Sequence, residues 1–368
     1  MRSQLWQNYQ LCRQRTLDLL TQLYSYAGRE IFSQQIHPDF SPIGWHWGHI
    51  IYTQELWILR KTAGQNSISD QQIDRLFSAD GLPKVERQNL PSWDWIMAYG
   101  DLVNERLFNY LYSLSLHELQ TQERLWRWLL QHEAQHQETI SFLMQIAGID
   151  LIPKGNSAKQ ENTNASLPVP AGEVVIGCDS VDALDNEQKP HIVYLPAFVI
   201  DALPVSCQEY AEFMAMGGYF KPEYWSEAGW AWVRSHQIDQ PLYWRYLAGS
   251  SNPVCGISWY EASAYVNFAG KALPSEWQWE KAVRYYPEYQ EQFVGQVWQW
   301  TSSLFTPYPN FTPYPYPGYS SAYFDNQHYV LRGGSWLTAQ WSLRPTFRNW
   351  YLPHTRQIFA GLRCVHQN

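Results

Sequence analysis

Two histidines four residues apart, in His132-Glu-Ala-Gln-His136, form the first pattern in this chain that could do chemistry. On a helix, positions i and i+4 share one face, so both imidazoles can reach a common point. Neutral imidazole suits Fe, Zn, Cu or Ni, which makes the pair part of a candidate metal site. An isolated HxxxH is more often ordinary core or surface histidine, so a third ligand must come from elsewhere. His46 and His49, one turn apart in GWHWGHIIYTQELWILR, compete for that place.

The elements that must position these rings read as helical. From residue 1 to about 150, apolar side chains recur at three- and four-residue spacing with few glycines, as from Leu116 to Ile146. Pro42, Gly81, Pro83 and Pro91 fall between such segments. Four helices joined by loops make a bundle the expected architecture, and bundles build metal sites from side chains on facing helices.

The texture then changes. Pro153 to Pro168 (PKGNSAKQENTNASLP) is polar and aperiodic, the composition of a linker. Beyond it, β-like runs such as GEVVIG and IVYLPAFVI alternate with Gly/Pro turns and with helical patches at Trp259–Gly270 and Pro274–Val283. The expected domains are therefore a bundle over 1–152, a linker over 153–167 and an α+β domain over 168–368. Residues 304–320 (LFTPYPNFTPYPYPGYS) repeat Tyr and Pro. Proline enrichment alone suits disorder, while the aromatic content suits an ordered loop.

Composition narrows the function classes. The 368 residues carry a net charge of −8, with only 26 Lys+Arg and no basic stripe, which gives nucleic-acid binding little support. No apolar run of about 18 residues predicts a membrane span, and the charged amino terminus does not read as a signal peptide. Five scattered cysteines form neither CxxC pairs nor a disulfide ladder. A soluble, cytoplasmic setting follows as the expectation. With 20 Trp and 25 Tyr, the chain has many side chains that combine an apolar face with a polar handle, suited to cores and ligand pockets.

Taken in order along the chain, several motifs resemble the ergothioneine-biosynthesis sulfoxide synthases (EgtB type). These join a DinB-like bundle to a domain of the formylglycine-generating-enzyme (sulfatase-modifying-factor, C-type-lectin-like) fold. The motifs are Trp45–Ile50 (WHWGHI), His132–Glu138 (HEAQHQE), Asp185–Glu187 (DNE), Gly217–Tyr219 (GGY) and Ala272–Lys281 (ALPSEWQWEK). Val297–Ser302 (VWQWTS), Leu331–Trp336 (LRGGSW) and Phe347–Arg363 complete the set. GGSW or DNE alone would be weak; the ordered set with HxxxH is specific.

The resemblance implies Fe(II) held by His49, His132 and His136, and O2-dependent bonding of a thiol sulfur to C2 of the hercynine imidazole. It implies a tyrosine proton donor in the loop before GGSW. The Tyr-x-x-Tyr spacing maps it to Tyr316, with Tyr319 as neighbour and Tyr314 as rival. Asn349 and Trp350 are implied at the quaternary ammonium of hercynine, which aromatic faces attract. Gln135, between the iron ligands, is implied to reach the substrate. Lys84 and Arg87, before Asn89-Leu90-Pro91, match a basic pair that could hold a donor carboxylate.

This sequence departs from the pattern in places. Tyr351 and Thr355 stand where synthases using γ-glutamylcysteine carry an acid and an arginine, which points toward free cysteine as donor. Gly295-Gln-Val-Trp-Gln-Trp300 lacks the Asn and Glu of the family's GNVWEW, weakening the case for a calcium site. Thr338 and Leu343 occupy the positions where formylglycine-generating oxidases carry their cysteine pair, which argues against that activity. A synthase acting on histidine (ovothiol type) or on a selenium donor, and a non-catalytic binding protein of the same fold, are the remaining alternatives.

Overall fold

The computed structural model describes residues 1–153 and 165–366, and its chain divides into two units, Met1–Leu151 and Ile152 onward. Most of the stretch read as linker lies outside the described residues. Its last residues, from Ser166, already belong to a strand.

In the first unit, α1 (Arg2–Ala27) buries Leu5, Tyr9, Cys12, Thr16, Leu20 and Leu23, a three- and four-residue stripe that faces the core. A single turn, α2 (Glu30–Ser33), leads to α3 (Ile43–Gln54), in which every residue is buried. α3 runs on into a π-helical stretch, Glu55–Thr62. Such wide turns occur frequently at functional sites. Short α4 (Gln71–Phe77) and a 3-10 turn at Lys84–Gln88 precede α5 (Trp93–Ser113) and α6 (Leu116–Ile146). Ser115 and Glu118 form a reciprocal capping box that fixes where α6 begins. The four long segments make the expected helical bundle.

A buried polar cluster crosslinks it. Arg13 of α1 donates to both carboxylate oxygens of Glu133 on α6, at 3.0 and 3.1 Å. Gln54, ending α3, donates to Glu133 at 2.9 Å and accepts from Arg13 at 2.6 Å. Pairing and hydrogen bonding offset the cost of burying these charges.

The second unit is the expected α+β domain. Its strands are β1 (Ser166–Val169), β2 (Gly172–Ile176), β3 (His191–Leu195), β4 (Phe198–Asp201), β5 (Lys271–Ala272), β6 (Trp298–Leu304), β7 (Tyr329–Arg332), β8 (Asn349–Tyr351), β9 (Ala360–Leu362) and β10 (Val365–His366). They form one sheet in the order β1-β4-β10-β5, a β2-β3 pair, and a second sheet in the order β8-β7-β6-β9. Between them lie α7 (Cys207–Ala215), α8 (Glu227–Ser235), α9 (Trp244–Leu247), α10 (Trp259–Ala269), α11 (Glu276–Tyr285) and α12 (Gln290–Phe293). Trp279 of α11 is fully buried against Phe198, Ile200 and Phe293.

Buried ion pairs lock α11 to the second sheet. Arg332 reaches Glu280 at 2.6 Å, and Arg348 reaches Glu276 at 2.8 Å. The Tyr/Pro segment between β6 and β7 is an ordered loop, with Tyr308 and Tyr319 buried in it. All five cysteines are free thiols.

Candidate metal centre

His49 lies on α3, and His132 and His136 lie mid-way along α6. His132 Nε2 stands 3.2 Å from His49 Nε2 and 3.2 Å from His136 Nε2. Three nitrogens bound to one ion at about 2.1 Å would stand about 3.0 Å apart at right angles and about 3.4 Å apart at tetrahedral angles. The observed spacing falls between. Among the described residues, this triad is the group of His, Cys, Asp or Glu whose ligand atoms converge in this way.

Tautomers follow from the neighbours. His49 Nδ1 lies 2.6 Å from the Phe77 carbonyl, so it must carry the hydrogen and donate. Its Nε2 is then a lone pair facing His132 Nε2, with the Thr53 hydroxyl 3.5 Å away. His132 Nδ1 is buried without a hydrogen-bond partner, and one Nε2 hydrogen on His132 could serve only one of its two neighbours. Converging lone pairs with so few hydrogens to share in a buried site fit a cation.

Burial pushes all four histidines here toward the neutral form that metal ligation requires. It takes His49 down to about 4, against the Phe77 carbonyl and with help from Arg87. His132 and His136 are driven well below the usual range by burial and then by the neighbouring imidazoles. His46 falls to about 3 through burial, His49, Arg87 and Lys84, with the Ser41 backbone working the other way.

Packing sets His46 and His49 apart. His46 does not join the triad; its Nδ1 sits 2.9 Å from His136 Nδ1, behind that ring. Gly48 explains how His49 finds its partner. A Cβ there would stand 2.1 Å from the Phe77 ring, so only glycine lets α4 approach closely enough for the Phe77 carbonyl to meet His49. On its other side, the His49 ring stacks on Trp45 at 4.6 Å and 11°. Trp45 is fixed by an indole N–H bond to the Leu76 carbonyl at 2.6 Å.

Arg87 lies over the Trp45 ring at 4.2 Å. It is not a solvated loop charge: it is 6% exposed and donates to the carbonyls of Leu82 (2.9 Å) and Ala79 (2.6 Å) and to Ser41 Oγ (3.0 Å). Lys84, exposed, donates to the Asp39 carbonyl at 2.6 Å. Gln135, half-buried between His132 and His136 on α6, turns its amide to the Gln131 carbonyl at 3.2 Å. These residues and the triad all belong to the first unit.

Tyr316, Tyr319, Asn349, Trp350 and Tyr351 belong to the second unit. There Trp350 stacks on Phe305 at 4.2 Å and 6° and meets Tyr319 edge-on at 6.1 Å, with Tyr323 at 5.5 Å. The Tyr319 N–H donates to the Tyr316 carbonyl at 3.3 Å, closing a tight turn. Strand alternation in β8 sets Asn349 and Tyr351 on the face opposite Trp350. The Asn349 side-chain oxygen accepts from the Trp350 N–H at 3.0 Å. The structure thus joins Trp350 with Tyr319 and leaves Asn349 on the other side of the strand.

Sequence reasoning missed three partners: the Phe77 carbonyl, His46 behind His136, and Asp185, which binds the Tyr314–Ser320 segment. His46 carried a signal in its one-turn spacing from His49 and Asp185 in the DNE motif, while the Phe77 carbonyl carried none.

Known proteins agree with this architecture. Residues 8–140 match the DinB superfamily, and residues 153–291 and 290–368 match the sulfatase-modifying factor enzyme 1-like domain. A hercynine oxygenase of Mycolicibacterium smegmatis is 31% identical over 96% of this chain and 96% of its own. That of Mycobacterium tuberculosis is 30% identical over 90% of this chain and 92% of its own. An inactive C-alpha-formylglycine-generating enzyme 2 of Bos taurus is 25% identical over 54% of this chain and 87% of its own. The mycobacterial likeness runs through bundle and α+β unit alike, where the bovine one covers about half of the chain, and it places this chain in the hercynine oxygenase family of enzymes.

Proposed function

We propose that the chain is an O2-dependent sulfoxide synthase of ergothioneine biosynthesis, with Fe(II) held by His49, His132 and His136. The observation that carries this reading is the convergence of three Nε2 atoms from two helices, 3.2 Å apart across His132. When bound, iron ligated from one side supplies a centre at which a thiol, an imidazole and O2 can meet.

The proposed reaction balances. Hercynine gives up its C2 hydrogen and the thiol its S–H hydrogen. A C–S bond forms, one oxygen atom of O2 ends on sulfur, and the other leaves as water. Four electrons pass to O2, two from forming the C–S bond and two from oxidising sulfur.

The chain's own groups do the positioning. The triad presents three neutral rings and leaves the opposite side for substrates, turning a rare encounter into an oriented one. Gln135 is the proposed polar contact to hercynine beside the ligands. Trp350 offers its indole to the quaternary ammonium, with Tyr319 edge-on beside it. Asn349, on the opposite face of β8, contributes only through its bond to the Trp350 backbone N–H. Lys84 and Arg87 are the proposed partners of the donor carboxylate, Lys84 through its exposed ammonium and Arg87 chiefly through its charge. Tyr316 is the proposed proton donor that favours C–S coupling over oxidation of the thiol alone. Tyr351 and Thr355, neither of them charged, favour cysteine as donor over γ-glutamylcysteine.

The test supplies Fe(II)-reconstituted protein with hercynine, O2, and cysteine and γ-glutamylcysteine in competition, and identifies products by mass spectrometry. The cysteine-derived sulfoxide is expected. Absence of both sulfoxides, under conditions where a mycobacterial hercynine oxygenase forms one, refutes the assignment. Replacing hercynine by histidine checks the acceptor.

A further inference from the structure

We propose that Asp185 is a positioning residue for Tyr316, clamping both ends of the loop segment that carries it; this role rests on the proton-donor reading above. Asp185 is 1% exposed. One of its carboxylate oxygens accepts the Tyr314 backbone N–H at 3.1 Å, and the other accepts the Ser320 hydroxyl at 2.5 Å. A single carboxylate therefore holds the chain two residues before Tyr316 and four residues after it.

The segment needs an external anchor. In Pro313-Tyr-Pro-Tyr-Pro-Gly-Tyr-Ser320 the three prolines carry no N–H and cannot join a helical or strand ladder. Within the segment, the backbone bond from Tyr319 N–H to the Tyr316 carbonyl closes the turn. The Tyr316 ring lies so close over Gly318 that a Cβ there would stand 2.8 Å from it. The turn is thus tight, and Asp185 fixes it to the body of the unit.

Asn186 extends the clamp. Its amide donates to the same Ser320 hydroxyl oxygen at 3.0 Å, so Ser320, fully buried, both donates and accepts. The Asn186 carbonyl accepts from Arg348 at 2.9 Å, and Arg348 immediately precedes Asn349 and Trp350. The turn at 185–186 thus ties the Tyr316 segment to the strand proposed to receive the quaternary ammonium. Two hydrogen bonds to one buried side chain suit a clamp that must hold a donor to a fraction of an ångström.

Asp185→Asn keeps the shape and loses one acceptor, because its NH2 must oppose either the Tyr314 N–H or the Ser320 hydroxyl. Ser320→Ala removes one end of the clamp and leaves the Tyr314 end in place. With Fe(II), hercynine and cysteine, the ratio of sulfoxide to oxidised thiol should fall about tenfold or more in Asp185→Asn and less in Ser320→Ala, since an error near 1 Å can cost about 100-fold. Amide exchange over 311–323, measured without substrate or metal, should rise in both variants. In the double variant Asp185→Asn/Tyr316→Phe, the ratio should match Tyr316→Phe alone, because Asp185 acts through that tyrosine.

A wild-type protein that forms no sulfoxide overturns the function and this role with it. If the wild type forms sulfoxide, three results overturn the clamp alone. These are an unchanged product ratio in both variants, faster exchange without a change in ratio, or a full additional loss on top of Tyr316→Phe.

Discussion

His46 Nδ1 lies 2.9 Å from His136 Nδ1, so one ring must donate to the other. If His136 donates, its Nε2 is left as a lone pair facing the metal position, the arrangement a neutral ligand needs. His46 then orients a ligand without being one. His46→Leu removes the acceptor and should weaken metal binding about 10- to 100-fold. Competition with a chromophoric chelator, using Co(II), measures this directly. An unchanged dissociation constant in a folded variant would remove His46 from the site.

Gly48 is a second point where packing decides ligation. Gly48→Ala forces a Cβ to within 2.1 Å of the Phe77 ring. Overpacking of this kind costs about 1–3 kcal/mol, and it should push the Phe77 carbonyl away from His49. A lower melting temperature accompanied by weaker Co(II) binding is expected. A melting temperature that falls while metal affinity stays at the wild-type value would mean the carbonyl contact is dispensable.

Tyr316→Phe keeps the ring and deletes the hydroxyl. Turnover should shift from sulfoxide toward oxidised thiol, read by mass spectrometry as a change in product ratio with metal content unchanged. An unaltered ratio would transfer the donor role to Tyr314 or Tyr319.

Acid should destabilise the second unit through Glu187. Burial opposes ionisation there, yet the Arg344 charge, the hydrogen bonds from Arg344 and Thr346 (2.6 Å), and the Leu184 N–H hold the carboxyl below its ordinary range. A depressed folded pKa means the unfolded chain takes up the proton first. The stabilisation is complete above the unfolded value, about 4.3, and disappears as pH falls through the folded one. Glu187→Gln should therefore cost about 3–5 kcal/mol near neutrality, by leaving Arg344 unpaired. The gap between wild type and variant should close in strongly acidic buffer, as urea unfolding at a series of pH values can follow. A gap independent of pH would contradict the assignment.

Much of this site is legible in the residues because its logic is local. His132 and His136 share a face by helical period alone, and α6 spans Leu116–Ile146 as the apolar spacing predicts. The third member of the triad is not legible in that way. His46 and His49 are both buried on α3, and what separates them is a carbonyl on α4, brought near by the absence of a side chain at Gly48. Arg87 shows the same limit. By sequence it is half of a basic pair that could hold a donor carboxylate, but Trp45 and three loop acceptors draw it inward. DNE was visible as a motif, but the groups Asp185 and Asn186 bind lie more than a hundred residues further along, beyond the reach of any spacing argument.

The place of the two proposed α6 ligands along their helix has a consequence for retention. Helix ends fray readily, whereas mid-helix turns open only with the larger unit to which they belong. His132 and His136 sit several turns from either terminus of α6, and Glu133 between them is held by α1 and α3. Loss of the ion should accordingly keep pace with cooperative opening of the whole bundle, and a holoprotein transferred to metal-free buffer should keep its charge of metal for as long as that bundle stays shut.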